Sequence, residues 1–158
     1  MKLTVAVILC VAALSTAPVF AQDKPADTNM QILRDKVKAD KRLVVAANMN
    51  LSDAEGKSFW PIYDEYQKDL QGLNERTAKV ILDYADAYNK NTLTDAQADT
   101  LTSVALAIDQ DEVTMRKTYA AKLKGVLPGK KVARYLQIEN KIRAVIRYDL
   151  ADGIPLVP

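Results

Sequence analysis

The sequence predicts an all-α fold of about four helices, two of them long, in a hairpin-like or cradle arrangement. Apolar residues recur at steps of three and four over long stretches, which is the period of a helix and not of a strand. Two of these stretches begin with Ser or Thr followed three residues later by Glu or Gln, the pattern of a capping box. The chain has only five Gly and six Pro, few for the many turns of an all-β fold.

Residues 1–21 are predicted to be a cleavable signal peptide. Lys2 precedes a mostly apolar run, and Val19 and Ala21 fit the −3 and −1 positions of a cleavage site before Gln22. This run is shorter than the roughly 20 apolar residues that span a membrane. The alternative is a buried N-terminal core helix, which the polar residues 23–27 disfavour. We therefore expect a periplasmic protein that has no transmembrane segment after cleavage.

Cleavage would also remove Cys10, the only cysteine, and the chain contains no histidine. The mature chain would then be unable to form a Ser-His-Asp triad, a thiol nucleophile, a Cys/His zinc site or a disulfide. Its glycines form no phosphate-binding loop. We expect no enzymatic activity, no cofactor and no metal. The near balance of 22 basic and 20 acidic residues gives no electrostatic case for binding nucleic acid.

The mature chain is predicted to begin with a flexible segment, residues 22–28, followed by a helical domain, residues 29–151, and a C-terminal tail, residues 152–158. A first helix of mixed charge is expected from Thr28 to Asn48. Its apolar stripe is ragged and includes Ile32, Val37, Leu43 and Val44.

The second helix is predicted to begin after the capping motif formed by Leu51, Ser52 and Glu55 and to end near Asn89. Pro61 lies within this stretch and is expected to bend the helix without ending it, because the apolar stripe keeps its phase on both sides. A helix of this length spans on the order of 55 Å. A compact domain of this size has a radius of gyration of only about 14 Å. Part of the stripe is therefore expected to face a groove, a partner or a second copy.

The third helix is predicted to follow a second capping motif, Leu93, Thr94 and Gln97, and to end near Gly125. The fourth is expected to begin with Pro128 at its first helical position and to end near Gly153.

Acidic side chains cluster on the second and third helices. They could form a paired-acid or cation site, but basic residues four positions further on favour solvated, ion-paired helix faces. The expected pairs are Asp64–Lys68, Glu112–Arg116 and Glu139–Arg143.

Four aromatic residues, Phe59, Trp60, Tyr63 and Tyr66, fall within eight positions around Pro61. Aromatic residues at helical spacing commonly pack in the core. The alternative is a patch that binds a client or partner, because Trp60 lies off the main apolar stripe and Tyr combines apolar area with a polar tip. The four residues are therefore also candidates for partner binding.

The signal peptide, the long helices and the segment Leu93-Thr94-Asp95-Ala96-Gln97 resemble the LTXXQ-motif family of periplasmic proteins, which includes Spy and CpxP. Residues 51–55 match the motif in relaxed form, and the resemblance covers roughly residues 50–150. It implies a four-helix protein, often a cradle-shaped homodimer, that binds unfolded or stressed envelope proteins without ATP. One branch of the family inhibits a sensor kinase. Another binds zinc, and this chain departs from it because its predicted mature part has no His and no Cys.

Two functional hypotheses follow from the helical pattern and the resemblance. The first is an ATP-independent periplasmic chaperone-like protein that binds unfolded or stressed envelope proteins through helix surfaces. The second is an envelope stress adaptor or sensor subunit that binds one dedicated partner protein. We expect a homodimer in both cases.

Overall fold

A computed structural model describes residues 40–157, and within this range the chain forms four helices and no strand. The all-α prediction is confirmed for these residues. We number the helices in chain order: α1, Lys41–Met49; α2, Asp53–Asn89; α3, Asp95–Lys124; and α4, Gly129–Gly153. The predicted signal peptide, the predicted flexible segment and the part of the first helix expected at 28–39 lie outside the described residues. The expected single helix from Thr28 to Asn48 is wrong at Asp40, whose extended backbone and capping side chain start α1 at Lys41.

Both predicted capping boxes are present and set the starts of the long helices. The Glu55 backbone N–H donates to Ser52 Oγ at 3.3 Å, and the Ser52 N–H donates to the Glu55 carboxylate at 2.8 Å. Thr94 and Gln97 make the same reciprocal contacts at 3.3 and 3.0 Å. Each box satisfies backbone N–H groups that have no partner within the helix.

Two details of the predicted helices are affected by proline. Helix α2 continues without interruption through Pro61. Pro128 was predicted to be the first helical residue of α4, but it is the N-cap residue instead. It makes no side-chain capping bond. Its φ of −59° suits a helix, but its ψ of 144° is extended, so the helix begins one residue later. At the other end, α4 continues to Gly153, two residues beyond the predicted domain end.

Helices α2 and α3 form a long antiparallel hairpin, closed by the link at residues 90–94. Polar contacts between the two helices show this arrangement, because residue numbers rise along α2 while they fall along α3. Lys122 pairs with Glu65 at 2.8 Å, and the Tyr119 hydroxyl donates to Asp69 at 2.6 Å. Helix α4 packs on α3, and the short α1 packs on α4.

Aromatic rings fill the core at the end of the hairpin where α1 lies. Phe59, Tyr66 and Tyr135 are fully buried, and Tyr135 of α4 meets the rings of Phe59 and Tyr66 edge-on at centroid distances of 5.2 and 5.9 Å. Such edge-to-face contacts add to the stabilisation from apolar burial. Val45 and Met49 of α1 complete this core.

None of the helices in the described range is both long enough and apolar enough to cross a membrane.

Candidate functional site

An apolar groove of about 540 Å³ runs between α2, α3 and α4, along the hairpin from the aromatic core towards the link at residues 90–94. A groove is one of the three surroundings expected for part of the apolar stripe of the second helix, beside a partner and a second copy. Its walls are aliphatic and come from three helices. The contributing residues include Leu70, Leu73, Val80 and Ile81 of α2, Ala105 and Ile108 of α3, and Ile142, Ile146 and Leu150 of α4.

The groove begins where α1 begins, because α1 has only nine residues while α2 and α3 have 37 and 30. Lys41, the first residue of α1, lines one end of the groove, and Ile154 lines the other. Beyond Ile154 the chain is held against α2, where the Tyr84 hydroxyl donates to the Pro155 carbonyl at 3.0 Å.

A buried carboxylate forms part of the end wall at Lys41. Glu139 of α4 is only 2% exposed and pairs with the Lys41 ammonium at 2.8 Å. The Gln67 amide donates to the other Glu139 oxygen at 3.0 Å. Three helices therefore meet at one charge. Because each oxygen has a partner, the desolvation of this carboxylate is offset.

A second charged cluster lies along the α3–α4 wall. Glu112 of α3 is 9% exposed and forms ion pairs with Arg143 and Arg147 of α4. Arg147 also pairs with Asp109 at 2.6 Å. Burial lowers the pKa of the Arg143 guanidinium, which remains a cation because its usual pKa is above 12. This cluster ties α4 to α3 along the groove.

The predicted pairs between residues four positions apart on one helix are wrong. Each acid instead meets a base on another helix: Asp64 pairs with Arg42, Glu112 with Arg143 and Arg147, and Glu139 with Lys41. Glu112 and Glu139 do not lie on solvated faces but are buried. A buried carboxylate has to be matched by a base within the fold, whereas an exposed one can be solvated by water.

Three of the four aromatic candidates for partner binding, Phe59, Tyr63 and Tyr66, are core residues and are no more than 4% exposed. Burial raises the pKa of Tyr63 and of Tyr66 to about 12. Trp60 is half-buried, and the Arg42 guanidinium lies over its ring, 4.2 Å from the centroid. Among these four, Trp60 is therefore the residue whose surface a partner can reach.

The capping motifs also take part in tertiary contacts. Glu55 pairs with Lys131 of α4, which also donates to the Asn50 carbonyl at 3.0 Å. The hydrogen bonds from Lys131 and from the Ser52 backbone hold the pKa of the Glu55 carboxyl below its usual range. Leu51 packs against the aromatic core. Leu93 and Val157 line the same small cavity, so the second motif lies close to the C-terminal tail.

The geometry of the groove suits an elongated apolar segment better than a small polar substrate. Within residues 40–157, no three acidic side chains converge in a way that could hold a metal ion. Aliphatic walls with charged groups at one end can bury one face of a helix or of an extended chain. Sequence periodicity marked most wall residues as apolar. It could not show which of them would face the groove rather than the core.

The chain matches no protein-family model, and comparisons with curated proteins and with solved structures likewise found no match.

Proposed function

We propose that this protein is a periplasmic, ATP-independent chaperone-like protein that binds unfolded or stressed envelope proteins, with the groove as its main binding surface. The observation that carries the proposal is the open aliphatic groove between α2, α3 and α4. Unfolded chains expose apolar segments, and burying such a segment in the groove would remove apolar area from water on both sides. The predicted signal peptide supports the compartment.

Exposed aliphatic side chains along the groove support a binding role. Ile146 is 46% exposed and Leu150 is 37% exposed, and both line the groove on α4. Contiguous exposed apolar surface is uncommon on monomeric proteins and is typical of sites that bind other proteins.

The second candidate is an envelope stress adaptor that binds one dedicated partner. It is favoured by the charged groups of the groove, because neighbouring helices hold Lys41 and Glu139 at its end and Arg143 on its α3–α4 wall in fixed positions. Charged groups of fixed geometry select the register of a bound segment and the sign of its charge more strictly than aliphatic walls do. A homodimer stays a prediction for either function and is tested by light scattering at tens of micromolar.

The function is tested by aggregation suppression with matched variants. Ile146→Gln/Leu150→Gln makes the groove polar at two positions that are already partly exposed. Leu43→Gln/Leu106→Gln changes two exposed leucines that do not line the groove. We expect the groove variant to lose most of its ability to keep an unfolding client in solution at near-stoichiometric ratio, while the control retains it.

Each function predicts a different result in this assay. If the unmodified protein fails to suppress aggregation of several unrelated clients, the chaperone proposal is rejected. If it also retains one stable protein from envelope extract, and the groove variant does not, the adaptor function is supported. Equal losses in the groove variant and in the control would show that the groove is not the binding surface.

A further inference from the structure

The groove lies next to the start of α1, where the space beside α2, α3 and α4 is no longer filled by α1. Where α1 is present, its residues Val45 and Met49 are buried against the aromatic core. Beyond the Lys41 end of α1, only α2, α3 and α4 lie side by side among the described residues, and the groove opens between these three helices. Because Lys41 lines the end of the groove, the chain that precedes α1 reaches α1 at that end.

Helix α1 runs antiparallel to α4 in a defined register. Lys131 donates to the Asn50 carbonyl at 3.0 Å at one end of α1, and Glu139 pairs with Lys41 at 2.8 Å at the other. Residue 50 thus lies level with residue 131 of α4, and residue 41 lies level with residue 139. A descent of nine positions in α1 therefore matches a rise of eight positions in α4. Asp40 caps α1 with an extended backbone, at φ −166° and ψ 102°, so residues 29–39 would form a separate helix that joins α1 at Asp40. Helices rise by about 1.5 Å per residue, so a helix that runs on antiparallel to α4 beyond this residue would bring positions 37, 33 and 30 level with about 143, 147 and 150 of α4.

Residues 29–39 lie outside the described residues, but their sequence has the pattern that this register requires. Met30, Leu33 and Val37 are spaced by three and four, which places them on one face of a helix. Ile32 falls on another face. The groove presents aliphatic residues of α4 at the matching levels, namely Ile142, Ile146 and Leu150.

We propose that residues 29–39 dock in the groove of their own chain as a helix antiparallel to α4, with Met30, Leu33 and Val37 against the aliphatic wall. The docked segment would follow α1 across the extended residue Asp40 and give the groove end of the hairpin a fourth helix. A segment attached directly at Lys41 has an effective concentration in the millimolar range or above, so it outcompetes a free peptide of equal affinity.

This docking deepens the proposed function. Only the effect of docking on client binding rests on that function. If the groove binds clients, a client has to displace residues 29–39, and the segment sets the apparent affinity of the groove. Weakening the segment would then strengthen client binding without any change in the groove. The docking itself is independent of any client.

Cysteine pairs test the docking directly. The processed protein has no native cysteine if residues 1–21 are removed; otherwise Cys10→Ser removes it. Leu33→Cys is combined with Ile146→Cys, and Ile32→Cys with Ile146→Cys serves as the control. Under mild oxidation we expect the first pair to form a disulfide within one chain at least about tenfold faster than the control. Equal rates for the two pairs, or disulfide-linked dimers in place of monomers, would overturn the proposal.

A second measurement follows access to the groove. A single Ile146→Cys variant is labelled with a maleimide, alone and with Met30→Glu/Leu33→Glu/Val37→Glu. We expect the triple substitution to accelerate labelling at least about tenfold, and Ile32→Glu to leave the rate unchanged. An unchanged rate in the triple variant contradicts the docking. A docked segment in a protein without aggregation-suppressing activity would reject the proposed function alone.

Discussion

Glu139 and Lys41 form an ion pair of 2.8 Å between α4 and α1, in which the Glu139 side chain is almost wholly buried and the Lys41 side chain is 23% exposed. Nothing in the local sequence indicates this pair, since 98 positions separate the two residues. It joins the shortest helix to the groove wall.

The first prediction concerns this pair. Lys41→Met leaves the buried Glu139 carboxylate without its counter-charge, and we expect the free energy of unfolding to fall by about 2 to 3 kcal/mol in urea titrations. The double variant Lys41→Met/Glu139→Leu should recover most of the loss, because it also removes the buried charge. Lys79→Met is the control. It breaks an exposed pair with Asp83 and should cost no more than about 0.5 kcal/mol. Additive losses in the double variant would contradict a coupled pair.

The fold was largely predictable from the sequence because its signals are local. The Ser52–Glu55 and Thr94–Gln97 boxes predict the first residue of each long helix correctly, because capping depends on side chains only three positions apart. The start of α4 was predicted one residue early. Pro128 suits both the N-cap and the first helical position, and its extended ψ decides between them.

The site was predictable only in outline. The excess length of α2 indicated that its stripe could not all be buried, and the groove confirms this. The identity of the ion pairs was not predictable in the same way. Glu112 has Arg116 four residues on, yet it pairs with Arg143, because the packing of α3 on α4 buries the carboxylate beside that guanidinium. Periodicity within one helix does not specify which face of a neighbouring helix lies opposite.

The second prediction concerns the capping boxes. Ser52→Ala and Thr94→Ala should each lower the free energy of unfolding by about 1 kcal/mol, because each leaves a backbone N–H of the first turn without its partner. Thr100→Ala, an exposed position within α3, should change stability by no more than about 0.5 kcal/mol. Urea titration measures all three. If Ser52→Ala or Thr94→Ala abolishes binding at unchanged stability, the motif has a role beyond starting a helix.

The third prediction concerns alkaline pH. Burial raises the pKa of Tyr63 and Tyr66 to about 12, against an ordinary value near 10 for an exposed phenol. Between about pH 10 and pH 12 the unfolded chain therefore releases protons that the folded chain retains. Stability should be complete below about pH 10 and should fall as the pH rises through that window.

Urea midpoints at several alkaline pH values, together with tyrosinate absorbance, measure this effect. Tyr66→Phe should reduce the slope of stability against pH, because one buried phenol no longer titrates. Thr100→Ala removes no phenol, so it is the control and should leave the slope unchanged. A slope that is the same in all three proteins would show that Tyr66 is not protected from ionisation.

The fourth prediction uses Trp60, the only tryptophan in the chain, as a reporter of the contact between α1 and α2. Arg42 lies over its ring and also pairs with Asp64, so one guanidinium covers the indole and holds α1 on α2. Arg42→Ala should expose the indole to water, shift its emission to longer wavelength and lower stability by about 0.5 to 1 kcal/mol. Arg76→Ala is the matched control, because it breaks the Arg76–Asp111 ion pair between α2 and α3 at an equally exposed arginine, and it should leave the emission unchanged. Unchanged emission in Arg42→Ala would mean that α1 does not cover Trp60 in solution.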